Sequence, residues 1–206
     1  MGVTMEDVMS GSTLTPARKT LPEEPKDIGG LSIGSHVAHI FVDSAEKQQR
    51  LFALVNESLQ DPSGSVLYIA GKQGVKGIRL SMKDYGIDVG SIERQRKIKI
   101  VDSEDWYLTM NRRNFRPIGE IREQFNSFAT LSSESGYYYV TIISETDAIV
   151  RKGFVEQYKE LELELGKRIA FFSAIFVCAY DARELEAIGR KDLVQNLSEL
   201  HTTMLN

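Results

Sequence analysis

The stretch Val66–Leu80 reads "VLYIAGKQGVKGIRL" and contains three segments of different character. The apolar run "VLYIA" predicts a buried β-strand, glycines and lysines follow it, and an amphipathic segment then predicts a helix. This order of strand, glycine-rich loop and helix is that of a phosphate-binding loop in a nucleotide-binding protein. The stretch therefore raises the question of whether Gly71–Gly77 holds a nucleotide.

The loop lacks the residues that this chemistry requires. A phosphate-binding loop follows G-x-x-x-x-G-K-[ST], in which lysine reaches the terminal phosphates and a hydroxyl holds magnesium. Counting from Gly71, the sixth and seventh positions are Lys76 and Gly77, the reverse of the required order, and Ile78 replaces the hydroxyl. One ATPase-like feature remains, the apolar strand 98–102 that ends in Asp102, but many parallel strands end in this way. We expect a degenerate loop without ATP hydrolysis.

Strands and helices alternate on both sides of this loop. Asp43 and Glu46 resemble a capping box that opens a helix. Nearly continuous apolar strands separated by amphipathic helices are typical of a parallel sheet that is covered on both faces. We predict an α/β fold with three layers, in which helices cover both faces of a mostly parallel central sheet. The predicted strands are 36–42, 65–70, 97–101, 137–143 and 173–180. The predicted helices begin near residues 44, 75, 118 and 154, and a closing helix covers 191–205. Gly86 is predicted to end the second helix before a turn into the third strand, and Gly166 to end the fourth helix.

Ligands of such sheets bind at the carboxyl ends of the strands. We therefore expect the functional site near Ala70–Gly74, Asp102–Asp105, Ser144–Asp147 and Tyr180–Asp181.

Composition limits the domain organisation and the partners. The chain has 206 residues, which suits a single domain of about 150–180 residues with a tail. Residues 1–30 contain three of the five prolines and few large apolar side chains, so we predict a flexible N-terminal arm and a folded domain over 31–206. The 25 Lys and Arg are interspersed with 29 Asp and Glu, which argues against direct nucleic-acid binding.

The single cysteine, Cys178, excludes an internal disulfide and fits a reducing cytosol. The longest apolar run, 169–180, is too short to span a bilayer, and the N-terminus has no signal-peptide pattern. We therefore expect a cytoplasmic protein without a membrane partner.

Known catalytic patterns are missing, so we expect a protein that is not an enzyme and that holds no metal or other cofactor. His36 and His39 lie three apart in a predicted strand, point to opposite faces and cannot jointly bind a metal. Cys178 lies inside an apolar strand, where burial disfavours the thiolate. Glu145 and Asp147 follow a strand; they suit acid–base chemistry, helix capping or binding of a polar ligand.

Seven segments, in order, resemble the MEDS family, the sensory domain of regulators in methanogens and methylotrophs. The most specific elements are the Gly-x-His at 34–36, the Trp-Tyr pair at 106–107 and the Cys-x-Tyr at 178–180. The resemblance covers about 31–206. The segments are "IGSHVAHIFVDSAEK" (33–47), "VLYIAG" (66–71), "IKIVDSEDWYLTMNRRNF" (98–115), "GYYYVTIISETDAIV" (136–150), "YKELELEL" (158–165), "FVCAYDARELE" (176–186) and "LVQNLSELHTTML" (193–205).

The resemblance implies a RecA/KaiC-like core without a Walker A loop, in agreement with the loop analysis. It also implies a sensor of small organic molecules in transcription regulators or sensor kinases. The chain contains no recognisable kinase module or helix-turn-helix, so we expect a stand-alone sensor or one that works through a partner. A pocket at the strand ends is expected to contain His36 or His39, Trp106, Tyr107, Glu145, Tyr158, Cys178, Tyr180 and Asp181.

The alternative for these residues is structural: Trp106 and Tyr107 would fill the core beneath a loop, and Tyr180 and Asp181 would cap the sheet. The leading hypothesis is a non-catalytic sensory domain that binds a small organic ligand in signal transduction or transcription regulation. Two alternatives remain: a KaiC-like protein–protein adaptor or homo-oligomeric subunit, and a degenerate nucleotide-binding relative of ATPases.

Overall fold

The computed structural model describes residues 27–168, 173–190, 201 and 203–205. Two short strands, β1 (Asp27–Ile28) and β2 (Leu31–Ser32), pair antiparallel. The main sheet consists of β3 (His36–Phe41), β4 (Gly64–Ala70), β5 (Ile98–Asp102), β6 (Tyr139–Glu145), β7 (Ala174–Asp181) and β8 (Thr203–Leu205). Its spatial order is β5-β4-β6-β7-β3-β8, and all neighbouring strands are parallel.

Helices connect these strands and cover both faces of the sheet, which confirms the predicted three-layer α/β fold. The longer helices are α1 (Ser44–Gln60), α2 (Gly74–Asp84), α5 (Ile118–Glu134) and α7 (Val155–Arg168). The shorter ones are α3 (Val89–Arg94), α4 (Ser103–Tyr107), α6 (Asp147–Arg151) and α8 (Ala182–Ala187).

The sheet separates two hydrophobic cores. On one side, which we call the α1 face, helices α1, α2 and α3 pack against the strands. On the other, the α7 face, helices α4 to α8 do so. Side chains alternate between the faces along each strand: Val140 and Ile142 of β6 belong to the α7 face, whereas Ile143 belongs to the α1 face. This alternation decides which predicted site residues can meet.

Aspartates at strand ends begin several of the helices. The Asp43 carboxylate accepts hydrogen bonds from the amides of Ala45 and Glu46, which confirms the predicted cap. Asp102 caps α4 and Asp181 caps α8 in the same way. The Asp102 carboxylate, the feature that resembled an ATPase magnesium site, therefore holds the first turn of a helix.

Three sequence predictions differ from the structure. The segment after Gly86 contains the short helix α3, which Asp88 caps. Helix α7 continues past Gly166, the residue predicted to stop it. The predicted helix 191–205 is wrong at its end, because 203–205 form β8 beside β3; its part 191–200 lies outside the described residues.

Of the predicted arm, residues 1–26 lie outside the described residues, and Asp27–Ile28 belong to the small antiparallel pair. None of the described helices has the length and apolar character needed to cross a bilayer.

Candidate functional site

Four buried side chains converge under α7, and we call them the His–Cys cluster: His36, Glu162, Cys178 and His201. The Nε2 atom of His36 lies 2.7 Å from the Glu162 Oε2, and the Nε2 atom of His201 lies 3.0 Å from the same oxygen. The sulfur of Cys178 is 3.7 Å from the His36 Nε2. Two imidazoles, a carboxylate and a thiol thus share one point inside the protein.

The parallel sheet brings these residues together from distant parts of the sequence. His36 lies at the start of β3, and Cys178 lies on the neighbouring β7, where it pairs with Ala38 of β3. His201 precedes β8, which pairs with β3 on its other side. Glu162 comes from the buried stripe of α7. The cluster therefore lies on the α7 face, beneath the helix that supplies its carboxylate.

Two tyrosines extend the cluster. The Tyr180 hydroxyl donates a hydrogen bond to the Glu162 Oε1 at 2.8 Å, and the Tyr158 hydroxyl points at the Cys178 sulfur at 3.8 Å. Burial alone would raise the pKa of Glu162, but His36 and His201 outweigh it and hold this pKa well below its usual range. Burial and the neighbouring Glu162 raise the pKa of the Cys178 thiol. The cluster thus pairs a carboxylate with a protonated thiol.

A second polar group, the hydroxyl chain, joins the cluster and consists of Tyr107, Ser144 and Tyr158. The Ser144 hydroxyl hydrogen-bonds the Tyr107 hydroxyl at 2.7 Å and the Tyr158 hydroxyl at 3.2 Å. All three side chains are buried, and burial raises the pKa of both tyrosines, so they remain protonated. A continuous line of polar atoms therefore runs from Tyr107 to the His–Cys cluster through an apolar core.

Aromatic rings surround the hydroxyl chain. Tyr158 meets Tyr107 edge to face at 5.4 Å between ring centroids and Tyr180 at 6.4 Å. Phe115 stacks on Tyr107 and in turn contacts Phe154. Phe115 and Phe154 are only partly buried, so the aromatic group connects the buried hydroxyls with the surface. Aromatic walls with a few placed polar groups are typical of sites for small organic molecules.

A separate polar group fills the position of the degenerate phosphate loop, on the α1 face. Glu145 accepts hydrogen bonds from Lys47 at 2.9 Å, from the Tyr68 hydroxyl at 2.5 Å and from the amide of Gly71 at 3.3 Å. Next to it, the Asp147 carboxylate accepts the amide of Lys72 at 3.1 Å. Two carboxylates of the chain itself therefore occupy the amides that a phosphate-binding loop would direct at an anion.

These carboxylates make the loop a poor place for a phosphate. A nucleotide would have to displace Glu145 from Lys47 and meet two negative charges at close range, which is strongly unfavourable in a buried site. Gly71 is also closely packed, since a Cβ there would lie 1.9 Å from the Asp147 Oδ1 and 2.9 Å from the Glu145 Cβ. The loop is therefore closely packed against the two carboxylates.

We expect Gly71→Ala to destabilise the protein by about 1–3 kcal/mol, because the added methyl must displace Asp147 from the loop amides. Gly119→Ala is the matched control: Gly119 lies in α5, a Cβ there meets nothing within 4 Å, and alanine favours helix. Urea unfolding of both variants measures the difference. Equal stability of the two variants would show that Asp147 does not pack on the loop as described.

The structure brings together five of the nine predicted site residues: His36, Tyr107, Tyr158, Cys178 and Tyr180. His39 lies on the opposite face of the sheet from His36, as the spacing predicted, near Phe41. Glu145 also lies on the α1 face, with Lys47. Asp181 caps α8.

Trp106 packs on Phe125 at 5.3 Å in the same core as the hydroxyl chain but does not bond to it. Its buried indole N–H has no hydrogen-bond partner among the described residues. Its position therefore resembles the structural alternative considered from the sequence.

Glu162, Lys47 and Ser144 were not predicted as site residues, and the first two carry a signal in the sequence. Glu162 falls on the buried stripe of α7 with Tyr158, Leu161 and Leu165, and Lys47 falls on that of α1 with Leu51. A charged residue on an apolar stripe indicates a buried partner. Ser144 carries no such signal, because a serine at a strand end is common.

The comparisons with known proteins fit this fold. The family model "MEthanogen/methylotroph, DcmR Sensory domain" matches residues 35–201. Among solved structures, 148 chains match; one is the crystal structure of a KaiC-like protein from the hyperthermophilic archaeon Pyrococcus horikoshii OT3. Its TM-score is 0.57 at 12% identity, over 78% of this chain and 72% of that one, so it supports the RecA/KaiC-like fold alone. No curated protein matches.

The family match covers most of the chain and contains every residue of the hydroxyl chain and of the His–Cys cluster. The protein therefore belongs to the MEDS family of sensory domains.

Proposed function

We propose that the chain is a non-catalytic sensory domain that binds a small, uncharged organic molecule at the hydroxyl chain. The observation that carries this proposal is the line of buried hydroxyls, Tyr107, Ser144 and Tyr158, inside an aromatic enclosure. Buried polar groups in an apolar core reduce stability unless they are fully hydrogen-bonded. The three hydroxyls share two hydrogen bonds among themselves, so the hydroxyl chain retains hydrogen-bonding capacity that a ligand can use.

Tyr158 is the point at which a ligand would bind. Its hydroxyl lies 3.2 Å from the Ser144 hydroxyl, longer than the usual 2.7–2.8 Å between hydroxyl oxygens, and its other partner is the Cys178 sulfur at 3.8 Å, a weak acceptor. A ligand hydroxyl or carbonyl oxygen would give Tyr158 a shorter hydrogen bond than either. The half-buried Phe115 covers Tyr107 from the surface and would have to move to admit the ligand.

The ligand is expected to be uncharged. The raised pKa values of Tyr107 and Tyr158 keep both hydroxyls neutral, so the site offers hydrogen bonds and aromatic surface rather than an opposite charge. An ion would lose its hydration in this core without compensation. Nucleotide binding is disfavoured as well, because the carboxylates of Glu145 and Asp147 already accept the loop amides and would repel a phosphate.

A thermal-shift screen of small alcohols, ketones and amides tests the proposal. We expect at least one class of compound to raise the melting temperature in a saturable way. Tyr158→Phe should weaken its binding roughly 10-fold, the loss of one buried hydrogen bond. Tyr139→Phe is the control, because Tyr139 is a buried tyrosine of the α1 face that bonds Asp61. A screen taken to saturation without a shift would count against the proposal, as would equal loss of binding in both variants.

The adaptor alternative has one supporting observation of its own. In the described sheet β5 is an outer strand, and a groove of about 410 Å³ between β5 and α5 is lined by Ile98, Phe128 and Leu131. Leu131 is 54% exposed. Light scattering would test this function: an oligomer that Leu131→Glu dissociates would support it, and a strict monomer that captures no partner would count against it.

A further inference from the structure

The His–Cys cluster contains the three kinds of donor atom that bind divalent transition metals in proteins, imidazole nitrogen, carboxylate oxygen and thiol sulfur. Its nitrogen, sulfur and oxygen atoms all lie within 4.8 Å of one another, and all four residues are buried. They come from β3, α7, β7 and a position two residues before β8, so the convergence is a product of the fold and not of one local motif. The sequence prediction that His36 and His39 cannot jointly bind a metal is consistent with this cluster, which takes only His36 from that strand.

The distances are close to those of a four-coordinate site. Zn²⁺ lies about 2.0–2.1 Å from histidine nitrogen and about 2.3 Å from sulfur, so two tetrahedral ligand atoms are about 3.3–3.6 Å apart. The Cys178 sulfur and the His36 Nε2 atom are 3.7 Å apart. The Glu162 Oε2 atom is closer, at 2.7 Å from the His36 Nε2 and 3.0 Å from the His201 Nε2. The carboxylate would therefore move outward by about half an ångström to admit the ion.

The surrounding hydrogen bonds also fit a metal site, where outer partners orient the ligands. Tyr180 donates to the Glu162 Oε1 and leaves Oε2 facing the two imidazoles. Tyr158 directs its hydroxyl at the Cys178 sulfur, the geometry that stabilises a thiolate ligand. Each anionic ligand thus has a tyrosine hydroxyl behind it.

The net charge of the His–Cys cluster favours a metal site over a network of ion pairs alone. The rings of His36 and His201 are 4.2 Å apart, and if both were protonated their positive charges would repel each other. A divalent cation bound by one thiolate, one carboxylate and two neutral imidazoles has no net charge, which is the favourable state inside an apolar core. A network of ion pairs would not involve the Cys178 thiol, whereas a metal site would bind it as a thiolate.

We propose that His36, Glu162, Cys178 and His201 bind one Zn²⁺ or a similar divalent transition metal. On binding, the Cys178 thiol releases its proton to solvent and its sulfur forms the metal bond. The histidines coordinate as neutral imidazoles through Nε2, and Glu162 coordinates through Oε2. Because all four positions are filled by the protein, the site is a closed, structural one that ties α7 and residue 201 to the sheet. This site is additional to the proposed ligand site and does not depend on it.

Cobalt substitution tests the proposal on the full chain. The chelator-treated protein is titrated with Co²⁺ without any organic compound, and the absorption spectrum is followed. We expect binding of about one ion per chain, a thiolate-to-cobalt charge-transfer band and the intense visible bands of four-coordinate cobalt, all removed by Zn²⁺. A spectrum without the charge-transfer band at saturating Co²⁺ would overturn the proposal, whatever the result of the organic-ligand screen.

Variants identify the ligands. Cys178→Ser should abolish the charge-transfer band, and His39→Ala should leave the spectrum unchanged, because His39 is a buried histidine of the same strand on the opposite face. Tyr180→Phe keeps all four ligands and should weaken Co²⁺ binding about 10–100-fold, which remains measurable if the ligand variants fail to fold. An unchanged band in Cys178→Ser, or its loss in His39→Ala, would contradict the assignment.

Discussion

Replacing Lys47 with methionine is expected to destabilise the protein by about 3–5 kcal/mol and to lower its melting temperature by roughly 6–20 °C. Lys47 and Glu145 form a buried ion pair at 2.9 Å, with side chains only 7% and 1% exposed. Removal of the lysine leaves the carboxylate buried beside Tyr68 and the loop amide of Gly71 without its positive partner. An uncompensated buried charge is one of the most destabilising changes a point mutation makes.

Two further variants test whether the loss of stability comes from the Lys47–Glu145 ion pair. Combining Lys47→Met with Glu145→Gln removes both charges and should recover most of the lost stability, because the amide oxygen of glutamine still accepts from Tyr68. Lys72→Met removes an exposed lysine that lies 3.9 Å from Glu184 and should change stability by less than about 0.5 kcal/mol. Chemical denaturation measures all three. A Lys47→Met variant as stable as Lys72→Met would contradict the buried pair.

A steep loss of stability above about pH 10 is the second large effect that we expect. Burial, reinforced by nearby Glu145, raises the pKa of Tyr68 well above its usual value. Burial likewise raises the pKa of Tyr107 and Tyr158, with a smaller contribution from Cys178. Tyr180 behaves in the same way beside Glu162. Because the unfolded chain loses these protons near pH 10 and the folded chain retains them, stability is full below pH 10 and falls above it.

Each of the four tyrosines contributes about 1.4 kcal/mol per pH unit to this fall. A domain of ordinary stability, about 5–15 kcal/mol, should therefore unfold cooperatively within about one to three units above pH 10. Circular dichroism and tyrosinate absorbance, followed in one titration, should change together for the buried tyrosines. Tyr107→Phe should make the fall less steep. Ionisation of all tyrosines while the fold persists would contradict their burial in the native state.

The sequence predicted the architecture well, because it depends on patterns that are local. Apolar strands between amphipathic helices specify a covered parallel sheet, and period-two alternation placed His36 and His39 on opposite faces. The comparison of the loop with the phosphate-binding motif likewise needed only spacing. Short helices such as α3 were missed because six residues carry too little periodicity to stand out from a turn.

The site was predicted less completely because it depends on contacts between distant segments. The rule that ligands bind at carboxyl strand ends led to Glu145, which instead closes the degenerate loop with Lys47. The polar atoms under α7 run across the middle of the sheet, from Ser144 at the end of β6 to His36 at the start of β3. Only the strand order brings Cys178, Glu162 and His201 together, and single-sequence patterns do not determine it.

The two polar groups of the protein have different roles. The loop after β4 is held shut by Glu145 and Asp147, and the polar interior of the α7 face carries the proposed sensing site. The lysine-rich turn that resembled a phosphate-binding loop is then a structural element at the rim of the fold. Its amides bond to the carboxylates of Glu145 and Asp147.

Native mass spectrometry tests the proposed sensing site. The wild-type chain, Tyr158→Phe and Tyr139→Phe are each mixed with Mg-ATP and with the organic compound that raises the melting temperature. We expect the wild-type spectrum to show the mass of the organic compound bound to the chain and no nucleotide. The adduct should be strongly reduced in Tyr158→Phe and retained in Tyr139→Phe. A wild-type chain that holds ATP and leaves the organic compound unbound would contradict the proposed sensing site.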